Sequence, residues 1–255
     1  VEAGAVTGIV EKPDEPPTDL VNAGAYVFPE RAVDWLSVPE SERGEHEITD
    51  VLARTVAECE VTPVELDRWM DVGRPWELLE ATAWTLERLA PDLAGDVDEL
   101  ARLSGDVVVE PGASVGPSVV VEGPALIRSG ATVGPNAHVR GPAVVGPDAE
   151  VGHGVEMERS VLMDGASVSH LSYVGDSVLG PEVNFGAGTQ VANRRHDDEP
   201  VRVTVKGERV ATGRRTFGTV VGRGVKTGIN TSLNAGVTLS AGARTEPGEV
   251  VTRDR

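Results

Sequence analysis

The chain has 255 residues, 40% hydrophobic and 25% charged, a globular composition with room for two domains. Its formal net charge of −18 excludes the basic face that nucleic acid or an anionic membrane surface requires, so no nucleic acid and no membrane is expected as partner. With 4% aromatics against 30 glycines, it suits a slender core of small aliphatics with many tight corners, not a thick sandwich of bulky side chains.

The cations are nearly all Arg, with Lys only at Lys12, Lys206 and Lys226. An acidic, Lys-poor surface is expected of a halophilic protein, kept soluble by hydrated carboxylates where screening is short-ranged. Cys59 is the single cysteine, so no intrachain disulfide can form, which fits a reducing, cytoplasmic setting. No apolar run reaches the ~20 residues of a membrane span. The first residue is Val, and Val6–Val10 reads like a strand entered midway, so the chain is expected to be a fragment that lacks its beginning.

Residues 1–90 have α/β texture. Val10-Glu11-Lys12-Pro13 closes a strand, Asn22 to Phe28 is a short buried strand with Gly24 inside it, and Pro63 to Leu66 is another. A helix opens around His46 to Leu52 and runs to Cys59. A second runs from Trp76 to about Leu89, with Pro75 near its first turn. Residues 91–106 are expected to be a helical linker, with a short helix near Val97 to Leu103.

From 107 to 255 a period of six dominates. Val109, Val115, Val121, Ile127, Val133, Val139, Val145, Val151 and Met157 follow at strict spacing. Gly often comes next (Gly116, Gly134, Gly146, Gly152), and Ala recurs two before (Ala113, Ala131, Ala137, Ala143, Ala149). The register slips by about one after Met157, continues through Val168, Val174, Phe185 and Val191, and resumes as Val221, Thr227, Leu233, Leu239, Thr245 and Val251. A turn of 3.6 residues does not fit six, so this is no amphipathic helix. A short strand sends one aliphatic into a narrow prism and a small residue turns the corner. Three faces close a coil of about eighteen residues. The fold class is a left-handed parallel β-helix of hexapeptide repeats preceded by a partial α/β domain. Residues 194–218 interrupt the repeat with two alternating runs around Lys206-Gly207, a hairpin arm.

Three short motifs in the first part stand in an order that resembles sugar-nucleotidyltransferases: Glu11-Lys12-Pro13, Asn22-Ala23-Gly24, and Trp69-Met70-Asp71-Val72-Gly73. The resemblance implies that Glu11 and Asn22 hold sugar hydroxyls, Lys12 neutralises the sugar phosphate, and Asp71 helps hold Mg²⁺. The Gly-rich loop that cradles the nucleotide in that family is not in the chain, so no nucleotidyl transfer is expected from this chain alone.

A second resemblance lies in the coils: Ser169-His170-Leu171-Ser172-Tyr173-Val174-Gly175-Asp176, then Val183-Asn184-Phe185-Gly186-Ala187-Gly188-Thr189, then Ala192-Asn193. These are similar to the acetyltransferase half of bifunctional N-acetylglucosamine-1-phosphate uridyltransferase/glucosamine-1-phosphate acetyltransferases of archaeal, haloarchaeal-like type. The resemblance implies acetyl transfer from acetyl-CoA to glucosamine-1-phosphate, coupled in the parent enzyme to UDP-N-acetylglucosamine formation. Galactosamine-1-phosphate stays open as an acceptor. His170 would be the general base, with Tyr173 and Asn184 positioning the amino-sugar phosphate, and Asn193 and Ala187 beside acetyl-CoA. Arg202, with Lys206 second, would contact the phosphate, although Glu199 stands where a basic residue is expected. An imidazole with pKa near 6.5 is suited to take the proton of the sugar ammonium. The resemblance also implies a homotrimer.

His138, His153 and His170 stand fifteen and seventeen residues apart with no close pair, so a three-histidine zinc site is not expected. The competing reading is a sugar-1-phosphate nucleotidyltransferase whose β-helix serves only oligomerisation or regulation.

Overall fold

A computed structural model describes residues 1–2, 4–10, 13–40, 44 and 46–255. It divides into two compact units, Val1–Met70 and Asp71–Arg255.

In the first unit, helix α1 (Ile48–Glu58) and a 3-10 turn (Glu30–Trp35) share a small core of Ala32, Trp35 and Val51, with Phe28, Val38 and Cys59 at its edge. The guanidinium groups of Arg54 and Arg31 lie 4.9 and 5.7 Å from the Trp35 ring. The three expected strands do not form ladders among the described residues: Val6 to Val10, Asn22 to Phe28 and Pro63 to Leu66 carry no strand assignment. Val6 N–H donates to Val61 O at 2.8 Å, but Val27 and Val64 are exposed. A segment with β-type composition becomes a strand only when a neighbour takes its backbone groups.

The second unit opens with helix α2 (Pro75–Leu86). Proline sits at its first turn, where its missing N–H is no loss, and Glu77 Oε2 accepts the Gly73 N–H at 2.8 Å beside the positive helix end. The rest is a left-handed parallel β-helix. Its first face carries strands Asp92–Leu93, Val107–Val109, Ala125–Ile127, Ala143–Val145, Val161–Leu162, Val178–Leu179, Val220–Val221 and Thr238–Leu239. The second runs from Asp96–Val97 to Asn184–Phe185 and continues as single bridges at Lys226 and Arg244. The third runs from Arg102–Ser104 to Val250–Val251.

The period-six residues fill the prism. Val109, Val115, Val121, Ile127, Val133, Val139, Val145, Val151 and Met157 are all buried in one continuous core. The expected helical linker at 91–106 is instead the first coil: Asp92–Leu93, Asp96–Val97 and Arg102–Ser104 pair with the strands above. Val97 and Leu103 continue the six-residue frame back from Val109 and pack against the core, and this outweighs the helix propensity of Asp-Glu-Leu-Ala-Arg-Leu.

The register slips twice, not once. Strand partners are 18 residues apart at Val144 and Leu126, but 17 apart at Val144 and Val161, and 17 again at Val161 and Val178. Both shortened stretches fall where the third face turns into the first, at Glu158-Arg159-Ser160 and Asp176-Ser177. The hairpin arm leaves that same corner one coil later. Its strands, Arg202–Val205 and Glu208–Ala211, pair antiparallel around Lys206 and Gly207, both at positive φ as the tight turn demands. Val201, Val203 and Phe217 of the arm and its root form a second core with Val161, Val178, Trp76 and Leu79. The outward side of the first face is thus covered from Val144 to Val220, where its strands are apolar on both sides.

Candidate functional site

Polar chemistry gathers at two edges of the third face. At the edge shared with the second face, one corner position carries His153, His170, Ala187 and Ile229 in successive coils. His153 and His170 are register partners. His170 ends strand Ser167–His170 and is exposed, while its carbonyl accepts the Ser172 hydroxyl at 2.7 Å and the Gly188 N–H at 3.0 Å. The backbone is therefore fixed and the imidazole stands in solvent. Below it, Asn136 Nδ2 lies 3.3 Å from His153 Nδ1.

Beside this corner runs an open groove of about 490 Å³, lined by Leu171, Ala187, Gly188, Gln190, Ile229, Asn230 and Ser232. Leu171 and Ile229 are 62% and 55% exposed, an apolar pair without cover among the described residues. Gln190 Nε2 donates to Leu171 O at 3.2 Å and closes the groove from one side. The glycines here answer to the next coil. A Cβ at Gly186 would come within 2.6 Å of Thr227 O. One at Gly188, where φ is +75°, would come within 2.4 Å of Asn230 Oδ1.

The other edge holds a buried ionic cluster at the two shortened corners. Tyr173 donates its hydroxyl to Glu158 Oε1 at 2.6 Å. Asn193 Nδ2 reaches Asp176 Oδ2 at 2.8 Å, Tyr173 Oη at 3.1 Å and Glu158 Oε1 at 3.2 Å. Arg159 spans both carboxylates, with Nη2 2.8 Å from Glu158 Oε1 and 2.9 Å from Asp176 Oδ2. Arg140 pairs with Glu156 and lies 2.7 Å from Glu158 Oε2. Asp176 is fully buried and also accepts the Thr216 hydroxyl at 3.2 Å from the returning arm. Burial, then the hydrogen bond to the Glu158 carboxylate, pushes the Tyr173 phenol well above its ordinary pKa. Its hydrogen bonds to Asp176 raise the pKa of the Arg159 guanidinium further, against the pull of burial.

The expected residues are thus only partly brought together. Tyr173 and Asn193 touch, and Ala187 borders the groove one coil above His170. Asn184 lies exposed on the second face, between Ser167 and Lys226 in register. Arg202 is exposed on the arm, Lys206 is at its turn, and Glu199 N–H donates to Asp197. In the first unit, Asn22 Oδ1 accepts the Tyr26 hydroxyl at 2.7 Å and the Gly24 N–H at 3.1 Å. Asp71 is an exposed carboxylate of the second unit, and no group of three His, Cys, Asp or Glu converges on a metal position among the described residues. One carboxylate would leave the remaining Mg²⁺ positions to substrate phosphates and water. Glu11 and Lys12 lie outside the described residues.

Sequence reading missed Arg140, Glu158, Arg159 and Thr216 at the ionic corner, and Gln190, Ile229 and Asn230 at the groove, and it quoted Asp176 within a motif without giving it a role. The two five-residue steps, Met157 to Leu162 and Val174 to Leu179, mark the ionic corner in the sequence.

Residues 1–88 match the family model "Nucleotidyl transferase", and residues 121–241 match "GMPPB C-terminal domain". A bifunctional sugar-1-phosphate nucleotidylyltransferase/acetyltransferase of Sulfurisphaera tokodaii is 40% identical over 249 residues, covering 96% of this chain and 62% of its own. Proteins named bifunctional protein GlmU are similar too. That of Methanocaldococcus jannaschii is 39% identical (91% of this chain, 57% of its own), and that of Methanococcus maripaludis 42% (92% and 58%). The chain is therefore similar along nearly its whole length to bifunctional archaeal proteins, and it spans about three fifths of theirs.

Proposed function

We propose that the β-helix transfers the acetyl group of acetyl-CoA to the amino group of glucosamine-1-phosphate. One observation carries this reading: an uncovered apolar groove runs along the corner that presents His170. The pantetheine chain lies in that groove against Ala187, with Leu171 and Ile229 as walls. The His170 imidazole takes a proton from the sugar ammonium. The free amine then attacks the thioester carbonyl, the adduct loses its second N–H proton to solvent, and as the C–S bond breaks the His170 imidazolium returns its proton to the departing coenzyme A sulfur. A corner backbone N–H receives the developing oxyanion. Gly188 N–H is committed to His170 O, so a different amide fills that role.

Tyr173 and Asn193 act from the opposite edge of the third face, on the sugar phosphate and on acetyl-CoA respectively. Asn184 and Arg202 stand away from the groove within one chain. A homotrimer, in which faces of neighbours meet, brings such groups to a shared site.

The name of the Sulfurisphaera tokodaii relative supports a second step in the complete protein, sugar-1-phosphate nucleotidylyl transfer. There Glu11, Lys12 and Asn22 bind the sugar phosphate, and Asp71 contributes to Mg²⁺, which offsets phosphate charge when bound.

The test follows thiol release from acetyl-CoA with glucosamine-1-phosphate, in concentrated potassium chloride to suit the acidic surface. His170→Ala should stay folded and lose about 10²–10⁴-fold in turnover. Full activity in that variant removes His170 as the base. No turnover by the unaltered protein removes acetyl transfer and leaves the β-helix an assembly or regulatory domain.

A further inference from the structure

Asn193 is the last residue before the arm, and it is clasped twice. Its side-chain amide reaches Asp176, Tyr173 and Glu158. Its carbonyl accepts the N–H of Phe217 at 2.8 Å as the arm returns, Arg194 bridges Thr216 beside it, and Gly218 N–H bonds Asp176 O at 2.9 Å. The position of Asn193 therefore depends on where Phe217 is held.

Phe217 is held by α2. Its fully buried ring meets Trp76 edge-on, with centroids 6.1 Å apart and planes at 85°. Trp76 is 5% exposed and packs with Leu79, Val161 and Val178. On the same helix, Glu80 Oε1 accepts from Arg214 Nη1 at 3.5 Å. Helix α2 lies within the segment that matches the nucleotidyl transferase family model.

We propose that Trp76 is a positioning residue for acetyl transfer: through the Phe217 ring and backbone it sets Asn193, and with it the Tyr173 hydroxyl. This rests on the acetyl-transfer reading above. A helix of the nucleotidyltransferase-like segment thereby becomes part of the acetyl-transfer apparatus. Removing the indole opens a void against Phe217, and the arm root relaxes into it, taking the Phe217–Asn193 hydrogen bond with it. His170 stands at the other edge of the third face, anchored to Ser172 and Gly188, and is not disturbed.

The experiment compares the unaltered protein with Trp76→Ala, Trp76→Phe and Leu86→Ala. Leu86→Ala removes a buried α2 side chain outside the Trp76–Phe217 cluster and reports plain destabilisation. Trp76→Ala should raise KM for acetyl-CoA about tenfold with kcat within about twofold, and Trp76→Phe should recover most of the loss. Leu86→Ala should lower the melting temperature without that split. Amide exchange at Phe217 should quicken about tenfold in Trp76→Ala. If Trp76→Ala does not fold, Phe217→Leu supplies the same two readouts. An unchanged KM in a folded Trp76→Ala, or an equal split in Leu86→Ala, overturns the proposal. If the unaltered protein transfers no acetyl group, the acetyl-transfer reading has failed. Exchange at Phe217 then decides the coupling by itself, and an unchanged rate overturns it.

Discussion

Tyr173 and Glu158 meet across one coil of the β-helix: the phenol donates a 2.6 Å hydrogen bond to the carboxylate of Glu158, a residue only 5% exposed. Arg140 and Arg159 both contact the same carboxylate. The result is a polar network in which Tyr173, Asn193, Glu158, Asp176 and Arg159 engage one another, while Arg140 Nε is buried without a hydrogen-bond partner.

Removing the carboxylate takes a partner at once from Tyr173, Asn193, Arg140 and Arg159, although Arg140 keeps Glu156 and Arg159 keeps Asp176. Glu158→Ala should therefore destabilise the fold by about 3 kcal/mol, and Glu158→Gln by less, since it still accepts from Tyr173. Denaturant unfolding measures both. A loss below about 1 kcal/mol for the alanine variant would show that the network relaxes into solvent.

The phenol gives a pH dependence with a defined sign. Its proton is held more tightly in the folded than in the unfolded chain, where tyrosine titrates near 10. This contribution is complete below about pH 10 and is lost as pH climbs above it. Stability should fall with pH above 10 in the unaltered protein, and less steeply in Tyr173→Phe. Unfolding midpoints across that range test it, and coincident slopes would refute the raised value.

Ala187 is the smallest side chain lining the groove. Ala187→Leu should fill part of its 490 Å³ without disturbing the prism, because the residue sits at the outer corner. KM for acetyl-CoA should rise about tenfold or more while the melting temperature holds. Unaltered KM would place the cofactor elsewhere.

Phe185 is the aromatic ring among the described residues of the prism core, 2% exposed between coils of valine and leucine. Phe185→Ala should cost about 3–5 kcal/mol, since stacked coils cannot close on a cavity that size. Phe185→Leu should cost below about 1.5 kcal/mol. Thermal and denaturant unfolding distinguish the two.

Legibility in the sequence followed the range of the interaction. Inward residues from Val109 to Met157 could be read because each coil repeats the same local requirement: one aliphatic per face and a small residue near the corner. The arm was legible because Lys206-Gly207 sits between two alternating runs and only a tight turn joins them. The coil from Asp92 to Ser104 was hidden because its helix-favouring residues meet the core only through the coil stacked above. The strands expected before residue 70 failed for the converse reason, having favourable composition but no ladder partner among the described residues.

The sequence alone established the period, hence the prism, its aliphatic core, and the irregularities near His170 and Asn193. The meeting of Glu158 with Tyr173 and Asn193, of Asp176 with Thr216, and of Trp76 with Phe217 needed the folded chain. Groups stacked in successive coils before the arm are 17 or 18 residues apart, while Asp176 and Thr216, joined through the arm, are 40 apart. A single residue lost at a corner changes which groups align. Closure of the coils, summed over every corner, sets the alignment, and no local pattern contains that sum.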